Sequence, residues 1–194
     1  MLGIRIHGRG GQGAVVASKI LAKAYFLEGL YVQAFPAFGM ERRGAPVAAY
    51  VRVDERPTLA RGEIVSPDVS VVLDPMLLEM VDVTKGLAPD AVLVLNHPGR
   101  DAVPEFNGVA LLAVVDATKI ALAHGLGSPL APIVNTVILG AFVKAVQNPP
   151  LSLGNLTEAI KESVPGKKEE NSAAAWEAYN QVRILEGNLW QKGR

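Results

Sequence analysis

Six residues near the start of the chain, Gly8-Arg9-Gly10-Gly11-Gln12-Gly13, fit the pattern G-x-G-x-x-G. They follow the strand-like Ile4-Arg5-Ile6-His7 and precede a helical run from Ala14 to Glu28, the context that gives the pattern meaning. The chemistry on offer is anion binding. Glycines let the backbone turn tightly and approach a phosphate. The free N–H groups of the helix start then point at it, aided by about half a positive charge from the helix dipole. Arg9 adds a mobile positive charge inside the loop. The alternative is a tight turn that holds no ligand.

A nicotinamide or flavin dinucleotide site also needs an acid at the end of the second strand, about 20 residues on, to hold the ribose hydroxyls. The second strand, Leu30 to Phe35, has none, and Glu41 lies only in the following loop. That loop, "PAFGMERRGAP", sets Arg42 and Arg43 beside Glu41 between two glycines. In a parallel sheet the carboxyl ends of both strands share the edge where ligands bind, so the two loops face one site. The planar fork of Arg suits phosphate. An interface or surface ion pair through Glu41 is the competing reading. Phe35, Pro36 and Phe38 fit either stacking on an adenine or packing on a partner.

Other polar residues suggest less. His7, His97 and His124 lack metal-ligand spacing, and Asp116 reads as a helix cap. Asp74 ends a strand. There is no G-x-x-x-x-G-K-[ST], no G-x-S-x-G elbow and no Cys nucleophile. The sequence therefore offers no catalytic residue and no metal set.

The elements that must position these residues follow from periodicity. Short β-branched runs (Val47 to Val53, Val69 to Leu73, Ala91 to Leu95, Leu111 to Val115) alternate with helical patterns, which predicts βα units. The later runs are almost wholly apolar, as for strands buried on both faces. Helices are expected over Met76 to Val83, from the Asp116 cap to Gly125, over Ile133 to Gln147, from an Asn155/Glu158 capping box to Ser163, and over Lys167 to Ile184. The expected fold is α/β, a three-layer α/β/α arrangement around a largely parallel, open, Rossmann-like sheet, with C-terminal helices. The 194 residues read as one domain, with an α/β core over about 1–116 and a helical part over about 117–190.

Nineteen basic residues balance nineteen acidic ones, which gives no footprint for nucleic acid or an anionic membrane. No apolar run reaches the roughly 18 residues of a membrane span, and the N-terminus shows no signal-peptide hydrophobic region. The chain has no cysteine, so it supplies no disulfide and no thiolate ligand for a cluster. That composition fits a cytoplasmic setting.

Three stretches, "HGRGGQGAVVASKILA", "YVQAFPAFGMERRGAPVAAYVRV" and "NTVILGAF", resemble the gamma subunits of the pyruvate:ferredoxin oxidoreductase (pyruvate synthase) family. That family also includes the 2-ketoisovalerate enzyme and related 2-oxoacid:acceptor oxidoreductases. The resemblance covers essentially the whole chain and implies one gamma-type domain over residues 1–194. It implies partners, namely alpha, beta and delta-type subunits, with ferredoxin as acceptor of the complex. It places thiamine diphosphate, Mg and iron–sulfur clusters on those partners, in keeping with the lack here of Cys and of a G-D-G…N motif. It associates this chain with coenzyme A. Carried over by position, Gly8, Arg9, Gly10, Gly11, Gln12 and Gly13 would line the CoA phosphates, Arg42 and Arg43 would neutralise the nucleotide end, and Asn135 in the first turn of its helix would complete the site. CoA carries a diphosphate and a ribose 3′-phosphate, so the missing acid after the second strand favours it over NAD. The contribution would be positioning of the thiol, with the isolated chain inactive. A purely structural assembly subunit, and a 2-ketoisovalerate-specific member, are the alternatives.

Overall fold

The computed structural model describes residues 1–37, 44–99, 103 and 106–186. In chain order its elements are β1 (Leu2–Arg9), α1 (Ala14–Leu27), β2 (Tyr31–Pro36), β3 (Pro46–Asp54), β4 (Val69–Val72), α2 (Leu77–Met80), β5 (Ala91–Asn96) and β6 (Val109–Val115). There follow α3 (Ala117–Ala123), the short pair β7 (Gly127–Ser128) and β8 (Ala131–Pro132), α4 (Val137–Ala145), α5 (Leu153–Ser163), α6 (Lys168–Gln181) and β9 (Arg183–Glu186).

Seven strands form one sheet in the order β2-β3-β1-β4-β5-β6-β9. Its centre, β1-β4-β5-β6, is parallel. β3 runs antiparallel to both β1 and β2, and β9 antiparallel to β6. Because β3 reverses between them, β1 and β2 point the same way and end on one edge. The α/β sheet fold expected from the sequence is present.

Strand chemistry explains the two faces. On β1, Leu2, Ile4 and Ile6 alternate with Arg5, His7 and Arg9, and side chains two apart share a face. The aliphatic set joins one core with Val51, Val71 and Val94 and with the apolar sides of α1, α4, α5 and α6. Full burial of each such Ile or Leu contributes about 1.5–3 kcal/mol. The opposite face divides. Over β4 to β6 it is largely apolar, with Val72, Leu93, Leu95, Leu112 and Val114 in one cluster with Leu77 of the four-residue α2. Over β1 to β3 it carries Arg5, His7, Tyr50 and Arg52, all buried. Arg52 donates there to Gln33 Oε1 (2.7 Å) and to the carbonyls of Ala60 (3.1 Å) and Gly62 (3.2 Å), which ties an irregular segment over the sheet.

Several boundaries differ from the sequence reading. The cap of α5 is Ser152, whose Oγ accepts from Asn155 N–H (3.1 Å), rather than Asn155. Leu153 is buried and belongs to the apolar stripe, so the helix has to begin before it. The last helix ends at Gln181 instead of Ile184, and Arg183–Glu186 turns into β9 at the sheet edge. The helix expected from Ile133 starts only at Val137, because Ala131–Pro132 pairs in the β7–β8 hairpin. The Asp116 cap is present, with Oδ1 accepting from Lys119 N–H at 2.8 Å.

Candidate functional site

The glycine loop lies where β1 hands over to α1. Gly11 and Gly13 hold φ of +96° and +81°, a left-handed backbone that glycine adopts without penalty. Gly13 is the N-cap of α1, and among the described residues no side chain caps this helix end; its first turn carries no carboxylate. The dipole and the N–H groups of the first turn are thus not neutralised by the helix's own side chains. Gly8 sits at the tight crossing of strand and helix: a Cβ there would lie 3.1 Å from Ala14 Cβ and 3.2 Å from Leu73 Cδ1.

The loop after β2 returns to this place. Gly10 N–H donates to the Ala45 carbonyl (2.8 Å), and Gly44 N–H donates to the Gly10 carbonyl (3.1 Å). The end of the second loop is therefore stitched to the first. Arg42 and Arg43 lie outside the described residues.

Arg9 corrects the sequence reading. It is not a mobile charge. Its Nε donates to Asp74 Oδ2 at 2.7 Å, and a terminal guanidinium nitrogen stands 2.6 Å from the same oxygen. Gln12 completes a clasp: its Nε2 donates to Asp74 Oδ2, and its Oε1 accepts from Arg9 N–H (2.7 Å). The Asp74 carboxylate is largely buried and also takes the Met76 N–H on Oδ1 (2.9 Å). Asp74 leaves the end of β4, next to β1 in the sheet, so its position is set by strand order. The sequence hinted at this only by placing an acid at a strand end.

Asn135 does meet the loop. It precedes α4 rather than lying in its first turn, since Thr136 is the N-cap. Asn135 Oδ1 accepts from Thr136 N–H (2.9 Å). This fixes the amide so that the donor Nδ2 faces Gly13, where an added Cβ would run into it. A side-chain donor thus stands beside the N-terminus of α1, 122 residues away in sequence from the loop residue it touches, taking 135 minus 13.

The remaining candidates are placed as follows. His7 sits on the polar face of β1, and Nε2 has no hydrogen-bond partner among the described residues. Burial, helped by the neighbouring Arg5 cation, pushes its pKa down to about 4, so the imidazole is neutral near pH 7. His97 Nδ1 is closed on the backbone of Gly99 (2.9 and 3.1 Å). His124 Nε2 faces Glu177 (2.6 Å) on α6, far in sequence from the glycine loop.

A family model described as pyruvate ferredoxin/flavodoxin oxidoreductase matches residues 3–181. The chain belongs to this family. The pyruvate/ketoisovalerate oxidoreductases common subunit gamma of Pyrococcus abyssi is 50% identical over 190 residues, covering 96% of this chain and all of the relative. The crystal structure of pyruvate oxidoreductase subunit PORC (EC 1.2.7.1) from Thermotoga maritima has a TM-score of 0.76 at 34% identity, over 95% of this chain and 98% of that one. The fold also recurs, at TM-score 0.69 and 24% identity, in 2-oxoglutarate:ferredoxin oxidoreductase from Magnetococcus marinus, solved with 2-oxoglutarate, coenzyme A and succinyl-CoA bound. That match covers 93% of this chain and 30% of the other.

Proposed function

We propose that this chain is the gamma subunit of a multi-subunit 2-oxoacid:ferredoxin oxidoreductase, and that it contributes the phosphate-binding part of a coenzyme A site. The complex would oxidatively decarboxylate pyruvate to acetyl-CoA and reduce ferredoxin. The observation that carries the CoA reading is the convergence of two donors at one sheet edge, the N–H groups of the first turn of α1 and the Asn135 Nδ2 beside Gly13, where the end of the second loop is joined to Gly10. The residues fit the phosphates of CoA, which need amides and cations, and β2 ends without the carboxylate that a dinucleotide ribose would need.

Gly8 to Gly13 and Asn135 would hold the phosphates. Arg42 and Arg43 would neutralise them, four and five residues after Phe38 in the loop that returns to Gly10. Arg9 enters this reading differently. Its charge is matched by Asp74, so it shapes the loop through the clasp, and the net attraction for phosphate comes from the helix end and the second loop. Thiamine diphosphate, Mg and the iron–sulfur clusters belong in this reading to alpha, beta and delta-type partners, where thiamine supplies the carbon–carbon cleavage. This chain's part is to bind CoA and hold its thiol toward that centre. A cytoplasmic setting suits a cysteine-free partner of ferredoxin.

A purely structural assembly role gains support from one observation, the pairing of Arg9 with Asp74, which removes a cation from the ligand side. Substitution of Arg42 and Arg43 by Ala in the assembled enzyme separates the two. The CoA reading expects the KM for CoA to rise by about tenfold or more, as for lost charge-assisted contacts, with the KM for the 2-oxoacid little changed. An unchanged CoA dependence assigns the loop to assembly. The relative from Pyrococcus abyssi carries a name that covers both pyruvate and ketoisovalerate, so a 2-ketoisovalerate enzyme is the second substrate assignment to assay.

A further inference from the structure

The turn that carries Asn135 is bonded to α6, a helix much later in the chain. The next residue, Thr136, is buried, and its Oγ1 donates to Asn171 Oδ1 at 2.7 Å. Asn171, also buried, in turn donates from Nδ2 to the Lys167 carbonyl at 2.8 Å. Lys167 is the N-cap of α6 and holds a left-handed backbone at φ +52°, with its Nζ donating to the Gly125 carbonyl (2.5 Å). The helices themselves meet closely: a Cβ on Gly140 of α4 would run into the Ala175 carbonyl of α6. Both polar atoms of the Asn171 amide are thereby engaged. One accepts from the α4 start, the other donates to the α6 start, and neither touches the glycine loop.

We infer that Thr136 and Asn171 are positioning residues for the ligand site. Through them α6 fixes the turn before α4 and so holds the Asn135 amide against Gly13. The inference rests on the reading of the loop as a CoA phosphate site, and it adds Thr136, to which the sequence reading gave no role, and Asn171, which lies outside every motif singled out in the sequence. The physical basis is geometric. Asn135 has its Oδ1 committed to the Thr136 N–H, so any rotation of that backbone swings Nδ2 away from Gly13. The Thr136 hydroxyl, buried and bonded, is what resists the rotation.

The test uses the assembled oxidoreductase. Thr136→Val keeps the side-chain volume and removes the hydroxyl. It should raise the KM for CoA about three- to tenfold, the range of one net hydrogen bond, while the KM for the 2-oxoacid stays within twofold. Thr136→Ser should restore the original KM. In an Asn135→Ala background, Thr136→Val should add nothing, because its effect passes through Asn135; a multiplicative effect would mean the two act independently. Hydrogen exchange at the Ala17 amide, which bonds to the Gly13 carbonyl (2.8 Å), reports loop order without CoA. It should quicken in Thr136→Val and in Asn135→Ala. If Asn135→Ala raises the CoA KM while Thr136→Val changes neither KM nor exchange, the positioning inference fails and the CoA site stands. If exchange quickens in both variants while neither moves the CoA KM, the anchoring stands as structure, and the CoA reading of Asn135 fails together with the functional role inferred for Thr136 and Asn171.

Discussion

Arg9 and Asp74 are joined side chain to side chain across neighbouring strand ends, with the Arg9 Nε 2.7 Å and a second guanidinium nitrogen 2.6 Å from one carboxylate oxygen. Gln12 donates to the same oxygen. One buried acid therefore sets the shape of half the glycine loop. Asp74→Ala should leave the Arg9 guanidinium, the Gln12 amide and the Met76 N–H short of their acceptor and cost about 1–3 kcal/mol of stability, read by chemical denaturation. It should also raise the KM for CoA in the assembled enzyme, because the loop loses its shape. Asp74→Asn keeps an oxygen for one donor and should fall between. Wild-type stability and CoA dependence in Asp74→Ala would show the clasp to be incidental.

The glycine loop and its edge of the sheet were legible in the sequence because they depend on local order: strand, turn, helix. The clasp was not. Asp74 lies 65 residues from Arg9, and only the parallel pairing of β1 with β4 brings them together. Asn135 was found through its resemblance to a family motif, but its contact with Gly13 depends on how α4 packs. β9 was hidden for a different reason. Its four residues continue the apolar spacing of α6, and what makes them a strand is the open edge of β6. Ser152 was missed as a cap because Asn155 also fits the capping pattern.

His7 gives a pH signature. Its pKa falls from 6.5 in the unfolded chain to about 4 in the fold, chiefly through burial. Above pH 6.5 it is neutral in both states and contributes no pH dependence. Between pH 6.5 and 4 the unfolded chain takes up the proton first, so stability declines as pH falls. The full effect is up to about 3 kcal/mol, at about 1.4 kcal/mol per pKa unit. Denaturation midpoints taken from pH 7 to pH 4 should show this acid limb in the native chain and a shallower one in His7→Gln. Equal slopes would assign the limb to other groups.

The α4–α6 contact should tolerate no added atom. Gly140 faces the Ala175 carbonyl with no room for a methyl group, and Ala174, Ala175 and Ala178 line the same seam fully buried. Gly140→Ala would gain helix propensity of about 1 kcal/mol, yet overpacking of this kind costs about 1–3 kcal/mol or more. The expected outcome is a net loss in thermal stability. A gain in Tm would mean the helices can move apart without penalty.

Gly11 and Gly13 separate backbone strain from ligand geometry. Both hold a positive φ, so replacement by Ala strains either by about 1–2 kcal/mol. Among the described residues a Cβ at Gly11 meets nothing within 4 Å, whereas one at Gly13 displaces the Asn135 amide. The two variants should therefore lose similar backbone stability but differ in function. Gly13→Ala should raise the KM for CoA well beyond Gly11→Ala, and the gap should vanish in an Asn135→Ala background, where the displaced amide is already gone. Steady-state kinetics of the four variants in the assembled complex measures it. If Gly13→Ala and Gly11→Ala affect CoA alike in the native background, Asn135 has no part in holding the ligand, and the glycine loop would have to act through its backbone alone.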